Sequence, residues 1–129
     1  TSDANAVGTT GEMSNNGLDL LDRDGAFKDN GLGDITGKPS DNGKFKIPSL
    51  RNLVFTAPYM HDGRFQTLEE VIDFYSEGVK QSHSIDSKMN FARQGGVHLT
   101  DHEKKCMIAF LKTVSDSTFI SNTEFASPY

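Results

Sequence analysis

Two stretches of the chain repeat apolar and polar residues with the period of an α-helix. Over residues 67–78, four positions at i, i+3, i+4 and i+7 share one face: Leu68, Val71, Ile72 and Tyr75. Thr67 with Glu70 three residues later has the pattern of a capping box, and Gly78 is a typical helix stop. The pattern therefore predicts an amphipathic helix over residues 67–78.

The second periodic stretch begins at Thr100, where Glu103 completes another capping box. Its apolar positions predict a buried face made of Met107, Phe110, Leu111 and Val114. The same pattern leaves three lysines in solvent: Lys104, Lys105 and Lys112. Cys106 lies beside Met107, and we interpret it as a small buried hydrophobic residue.

The remaining segments are less regular. Residues 1–46 are rich in Gly, Asn, Asp, Ser and Thr, which indicates an irregular arm ordered partly by contact, with disorder as the alternative. In residues 47–66, Pro48 is expected to begin a short helical turn whose shared apolar face is Leu50, Leu53 and Val54. Residues 79–99 form a polar connection. Residues 115–129 form an irregular tail that four residues are expected to hold in place: Phe119, Ile120, Phe125 and Tyr129.

Composition limits the classes of function. Only 35% of the 129 residues are apolar, so the core is expected to need a cofactor, an ion or a partner surface. A net charge of −5 argues against nucleic-acid binding, and no run approaches the roughly 18 apolar residues of a membrane span. Cys106 is the single cysteine, which excludes an internal disulfide. The sequence has no signal peptide and begins with Thr1, so we expect a processed or cut chain.

The candidate chemistry lies between the Pro58 turn and the first predicted helix. Met60 and His61 follow that turn, and Tyr75 lies on the helix; thioether, imidazole and phenolate are all ligands that haem iron accepts. Each also has a purely structural interpretation. Tyr75 fits a core aromatic, Met60 a gap-filling side chain and His61 a hydrogen-bonding turn residue. The sequence contains no Cys-x-x-Cys-His motif for haem attachment.

Three ordered motifs resemble the C-terminal domain of the bacterial di-haem cytochrome c peroxidases, the family that includes MauG. They are FKIPSLRN at 45–52, TAPYMHDG at 56–63 and TLEEVIDFY at 67–75; AFLKT at 109–113 and NNGLD at 15–19 also fit. The resemblance implies a mostly α, cytochrome-c-like domain with long irregular loops. Residues 1–46 would be an arm of this single domain, and residues 47–129 a partial haem-pocket region.

The resemblance also implies cofactors and partners. Each of the family's two domains holds a c-type haem. The N-terminal haem reduces hydrogen peroxide, and the C-terminal haem receives electrons from a small donor protein in the periplasm. The expected partners are therefore the N-terminal haem domain, the electron donor and, because members are often dimers, a second copy. Without an attachment motif, we expect the isolated chain to bind no covalent haem and to be inactive.

Carried over residue by residue, the family pattern places the distal iron ligand at Tyr75. This position is Met in typical peroxidases and Tyr in MauG-like members; Met60 and Met89 are the alternative ligands. The family's calcium ion implies the main-chain carbonyls of Thr56 and Pro58. Arg51 would bind a haem propionate, and His61 would donate hydrogen bonds beside the iron ligand.

Two other functions stay open at this point. Tyr75 suits a MauG-like di-haem oxidase that acts on a partner at a distance. A haem-free interaction module that reuses the same scaffold is the third possibility.

Overall fold

The computed structural model describes residues 12–23 and 26–126. A two-residue strand near the start of this range, β1 (Met13–Ser14), pairs antiparallel with β2 (Phe45–Lys46), and both strands lie within the arm of residues 1–46. Short 3-10 turns connect the helices at Pro39–Asp41, Leu53–Phe55, Ala92–Gln94 and Thr123–Phe125. The main elements are β1 (Met13–Ser14), α1 (Leu32–Thr36), β2 (Phe45–Lys46), α2 (Leu68–Asp73), a π-helical turn (Phe74–Gly78), α3 (Asp101–Thr113) and α4 (Ser117–Ser121).

The first predicted helix is divided into two parts. It begins at the predicted capping box, because the Thr67 side chain accepts from the Glu70 amide and the Glu70 side chain accepts from the Thr67 amide. After Asp73 the α-helical geometry gives way to the π-helical turn at Phe74–Gly78. The predicted extent of the helix, from the Thr67 cap to Gly78, is confirmed, but its last turn, which carries Tyr75, is π-helical rather than α-helical.

Helix α3 begins at the predicted Thr100 capping box, but its buried face differs from the predicted one. Ile108 and Leu111 face the core, whereas Met107 is 40% and Phe110 is 62% exposed. Cys106 is exposed, which corrects its interpretation as a buried hydrophobic residue. Lys104 lies on the same face of α3 as Ile108 and Leu111, which pack against α2. The Lys104 ammonium, predicted to lie in solvent, donates at 2.8 Å to Asp73 at the end of α2.

Two apolar clusters form the core. The first, which we call the Tyr75-side cluster, contains the buried residues Leu18, Phe74, Val79 and Ala92 with Tyr75, Met60 and Met89 packed against them. The second, the α2–α3 cluster, contains Tyr59, Leu68, Ile72 and Leu111. Phe65 contacts both clusters and joins them.

Two further predictions need correction. No helical turn starts at Pro48: Asn52 adopts a left-handed conformation, the 3-10 turn begins only at Leu53, and Leu50 is 53% exposed. The predicted anchors of the tail are also exposed. Phe119 and Phe125 pack against each other with ring centroids 5.1 Å apart, Ile120 is half exposed, and Tyr129 lies outside the described residues.

The fold class itself is confirmed. The described residues are 41% helical, with a two-stranded sheet and irregular loops, as expected for a mostly α, cytochrome-c-like domain. In the described part of the chain, no helix is long and apolar enough to cross a membrane.

Candidate functional site

Met60 lies at the tip of a tight turn over residues 59–65. The turn is closed by an isolated bridge in which the Tyr59 amide donates to the Phe65 carbonyl at 2.7 Å. Met60 itself has a φ of 71°, a left-handed conformation that a side chain with a Cβ rarely adopts. Such conformations persist where surrounding contacts enforce them, and they are frequent at functional sites. The turn thus presents the Met60 side chain to the Tyr75-side cluster.

Tyr75 is held by the π-helical turn at both its backbone and its ring. An α-helical continuation would direct its carbonyl at Val79, but the Val79 amide donates to Gly95 at 2.9 Å instead. The Tyr75 carbonyl accepts from the Val97 amide at 3.1 Å. The ring packs edge-on against Phe74 with centroids 4.9 Å apart and is half-buried. The phenol therefore lies at the edge of an apolar wall rather than inside the core.

Asn16 connects the two candidate ligands. Its Nδ2 atom donates to Tyr75 Oη at 3.0 Å and lies 3.7 Å from Met60 Sδ. Asn16 lies far in sequence from both Met60 and Tyr75, so the fold brings its amide to the thioether and the phenol. The sequence predicted no role for Asn16 itself. Its signals were the Asn-Gly pair with Gly17 and its place in the NNGLD stretch at 15–19.

Arg64 anchors this arrangement from the other side of the turn. Its guanidinium donates to Asp62 at 2.6 Å, pairs with Asp19 at 2.9 Å and reaches the Leu18 carbonyl at 3.4 Å. Hydrogen bonds from Arg64 hold the pKa of the Asp62 carboxyl below its usual value. Arg64 thus ties the residue 15–19 segment to the Met60 turn, a role that the sequence analysis also missed.

The two tyrosines of the site differ in availability. Tyr59 is buried, donates to the Leu53 carbonyl at 3.1 Å, and has a phenol pKa raised by burial. Its hydroxyl is therefore occupied by the main chain. The Tyr75 hydroxyl accepts a side-chain hydrogen bond and is half-buried, so it is the better placed of the two to meet a ligand.

His61 and Arg51, the other predicted pocket residues, have different surroundings. The His61 ring stacks on Phe45 with centroids 3.6 Å apart, and its Nε2 lies 3.9 Å from Asp29. His61, Asp29 and Asn16 line a crevice of about 10 Å³, room for at most one water molecule. Arg51 is exposed, and its main-chain amide donates a hydrogen bond to Ser49 Oγ at 3.2 Å.

The residues predicted to bind calcium are at the surface, whereas the alternative ligand Met89 packs against the core. Thr56 and Pro58 are exposed on either side of a cis Ala57–Pro58 bond, and the Thr56 hydroxyl donates to Leu53. Met89 packs against the Tyr75-side cluster and adjoins a surface depression of about 310 Å³. Within residues 12–23 and 26–126, no group of three His, Cys, Asp or Glu side chains is placed to hold a metal ion.

These residues fit one wall of a haem site. A half-buried phenol oxygen and a thioether sulfur, both of them accepted ligands of haem iron, converge on a single amide at the edge of an apolar surface. A porphyrin needs such an apolar face, with a donor that projects from it. The described acidic and imidazole groups offer no closed metal cage.

Comparison with known proteins gives relatives of one kind, although a scan against protein-family models found no match. The chain is 44% identical to cytochrome-c peroxidase IdrP1 of Pseudomonas sp. (strain SCT) over 71% of its own length and 23% of that protein. It is 33% identical to the methylamine utilization protein MauG of Paracoccus denitrificans, over 86% of this chain and 32% of MauG. The chain therefore spans between a fifth and a third of the length of these relatives.

A solved structure agrees with the sequence comparison. The fold matches the crystal structure of a MauG-like protein associated with microbial copper homeostasis, with a TM-score of 0.75 and 44% identity. The match covers 90% of this chain and 38% of that protein. This chain therefore belongs to the family of cytochrome-c peroxidases and MauG, as a partial MauG-like peroxidase domain.

Proposed function

We propose that the chain is the wall of the electron-transfer haem site in the C-terminal domain of a periplasmic di-haem cytochrome c peroxidase. The observation that carries the proposal is the convergence of Tyr75 Oη and Met60 Sδ on Asn16 beside an apolar cluster. Family membership supports haem c as the cofactor and oxidoreductase chemistry for the whole protein. When bound, the haem supplies an iron that accepts and passes on single electrons.

The residues of this chain would hold and tune that haem. Tyr75 would ligate the iron, and because a phenolate stabilises the ferric state, the site would have a lower potential than one with a Met ligand. Met60 and Met89 are the alternative ligands. Arg51, whose side chain lies on the surface, would bind a propionate, and His61 would hydrogen-bond groups beside the ligand.

The remaining assignments concern the longer protein. Reduction of hydrogen peroxide would take place at the haem of the N-terminal domain, which would be the direct partner of this one. A small donor protein would supply the electrons, and a second copy would complete a dimer. The carbonyls of Thr56 and Pro58 would contribute to a calcium site, since calcium accepts main-chain oxygens readily. By itself, the 129-residue chain would be inactive.

A second candidate function has a specific observation in its favour. A Tyr rather than a Met at the ligand position fits a MauG-like oxidase that acts on a partner protein. The two functions differ in their steady-state behaviour. A peroxidase turns over peroxide with a reduced cytochrome, whereas the oxidase turns over slowly with that donor and consumes peroxide when its own partner is present.

The experiment that tests the proposal is a change of ligand in the haem-loaded full-length protein. Tyr75→Phe is expected to abolish the ferric phenolate absorption and to raise the midpoint potential of one haem, because the anionic ligand is lost. Tyr59→Phe is the matched control, since that phenol is buried and hydrogen-bonded to the main chain. An unchanged spectrum in Tyr75→Phe, with a change in Met60→Leu or Met89→Leu, would assign the ligand to a methionine instead.

A further inference from the structure

Among the described residues, Asn16 is the side chain in polar contact with both candidate ligands. Its amide nitrogen carries two N–H groups, so a single residue can address the Tyr75 oxygen at 3.0 Å and the Met60 sulfur at 3.7 Å. Both of these atoms are hydrogen-bond acceptors when the phenol is ionised. An amide oxygen in the same position would repel them, so the donor end of the amide is the end that the site requires.

The backbone on both sides of Asn16 is fixed by buried hydrogen bonds. The Asn15 side chain is 3% exposed; it donates to Ser84 at 3.0 Å and accepts from the Gly17 amide at 2.9 Å. The Gly17 carbonyl accepts a hydrogen bond from the main-chain amide of Lys80 at 2.7 Å. Because residues 15 and 17 are both tied to the segment after the π-helical turn, the backbone of Asn16 has little freedom. Its side-chain amide is held toward Tyr75 by the hydrogen bond to the phenol oxygen and by the contact with Met60.

Gly17 gives this segment its close approach. It has a φ of 74°, and a Cβ atom there would lie 2.5 Å from the Lys80 carbonyl oxygen and 2.8 Å from a Val79 methyl. Only glycine lets the chain pass so near to residues 79 and 80. The Asn-Gly pair therefore acts as a unit, in which the glycine allows the approach and the asparagine uses it.

We propose that Asn16 is a positioning residue for the iron ligand, which orients the Tyr75 oxygen and weakens its donation to iron through the Nδ2 hydrogen bond. This inference rests on the proposed function, in which Tyr75 ligates the iron. A hydrogen bond to an anionic oxygen is charge-assisted and withdraws electron density from it. The ferric state is then stabilised less than it would be by a phenolate without the hydrogen bond, and the potential of the haem is higher.

The test measures the midpoint potential in the haem-loaded full-length protein. Asn16→Leu removes both donors at nearly constant volume and is expected to favour the ferric state about tenfold, a decrease of about 59 mV for one electron. The ferric phenolate absorption should shift as well. Asn16→Asp, of the same size but with acceptors in place of donors, should move the potential in the same direction. Asn90→Leu, an exposed position, is the matched control and should leave it unchanged.

A double-mutant cycle separates this inference from the proposed function. In a Tyr75→Phe background, Asn16→Leu should have no effect on the potential, because the oxygen on which it acts is gone. If Tyr75→Phe alone leaves the spectrum unchanged, the proposed ligand is wrong. If Tyr75→Phe changes the spectrum but Asn16→Leu shifts nothing, or shifts the potential equally in both backgrounds, then Tyr75 is the ligand and the role of Asn16 is overturned.

Discussion

At the scale of single residues, Arg64 is the strongest electrostatic element next to the site. Its guanidinium is bonded to Asp62 and Asp19 and also reaches the Leu18 carbonyl. The contacts with Asp62 lower the pKa of that carboxyl and raise the pKa of Arg64, with the hydrogen bonds as the main cause in both. Since about a third of each side chain is exposed, water screens the pair, and its contribution to stability is only about 1 kcal/mol.

The lowered pKa of Asp62 makes a prediction about acid stability. The carboxyl titrates below its usual value of 3.8 in the folded state, so the ion pair stabilises the fold above that pH. This stability is lost as the pH falls through the lowered folded-state pKa. We therefore expect Asp62→Asn to melt a few degrees lower than the native chain at pH 7, and the difference in melting temperature, measured by circular dichroism, to shrink as the pH falls below 3.8.

The control for this prediction is Arg64→Met, which removes the cation but keeps most of the aliphatic stem. In that background, Asp62→Asn should change the melting temperature little at any pH. If the destabilisation caused by Asp62→Asn persists undiminished at about pH 2, or survives the loss of Arg64, the carboxylate stabilises the fold through some other contact.

At the scale of elements, the π-helical turn positions the candidate ligand. The carbonyls that a regular helix would use internally accept instead from residues 97 and 98: Val97 bonds to Tyr75 and His98 to Ser76. The Ser76 side chain is fully buried and accepts from the Leu99 amide at 2.9 Å. Residues 95–99 therefore bind along the π-helical turn through hydrogen bonds, and these bonds fix the backbone from which Tyr75 projects.

Gly96 allows residues 95–99 to approach the π-helical turn closely, and its substitution gives a prediction about this contact. Its φ is 149°, and a Cβ atom there would collide with the Ser76 carbonyl. We expect Gly96→Ala to lower the free energy of unfolding by about 2–4 kcal/mol in urea titrations, because the backbone of the turn must shift. Gly37→Ala is the matched control. Gly37 also has a positive φ, 66°, but no atom lies within 4 Å of its added Cβ, so it should cost only about 1 kcal/mol. Equal effects of the two substitutions would refute the claim that close contact with residues 95–99 stabilises the π-helical turn.

Much of this element structure was predictable from local sequence. Both capping boxes formed as predicted, because a cap depends on residues three positions apart. The buried face of α3 was not predicted correctly, because the residues it packs against lie far away in sequence: Ile108 and Leu111 join the cluster with Leu68 and Ile72, and Lys104 pairs with Asp73. A helical wheel counts Met107 and Phe110 as core residues, but in the structure the face that carries Lys104, Ile108 and Leu111 packs toward α2.

The site was predictable only in part, for the same reason. The sequence motifs located Tyr75, Met60 and His61 as candidates, since these residues lie within one 16-residue stretch. The contribution of Asn16 depends on a return of the chain from residue 16 to residues 60 and 75, with no local pattern that marks it. Likewise, the π-helical turn arises from hydrogen bonds to residues 95–98, which a helical wheel does not contain.

At the scale of the whole molecule, the core is small for a chain of this length. Two clusters share one linking residue, Phe65, and several large apolar side chains are more than half exposed: Leu20, Ile35, Leu50, Phe55, Phe110, Phe119, Ile120 and Phe125. This agrees with the low apolar content of the sequence. It also fits a chain that matches only part of its relatives, since a larger protein would cover surfaces of this kind.

The composition of the whole chain predicts its behaviour toward haem. Thioether attachment of haem needs two cysteines and a histidine in one motif, and Cys106 is the single cysteine here. The 129-residue chain, expressed with a cytochrome c maturation system, is therefore expected to give no haem-stained band after denaturing electrophoresis. The full-length protein that contains it is the positive control. A stained band at the mass of the short chain would contradict the proposal that attachment lies outside these residues.

The position of one oxygen atom decides the proposed ligation, and a crystal structure of the haem-loaded full-length protein measures it directly. We predict that Tyr75 Oη lies at coordination distance from the iron of one haem and that Asn16 Nδ2 stays within hydrogen-bond distance of that oxygen. A methionine sulfur on that iron, with the Tyr75 hydroxyl turned away from it, would contradict the central claim.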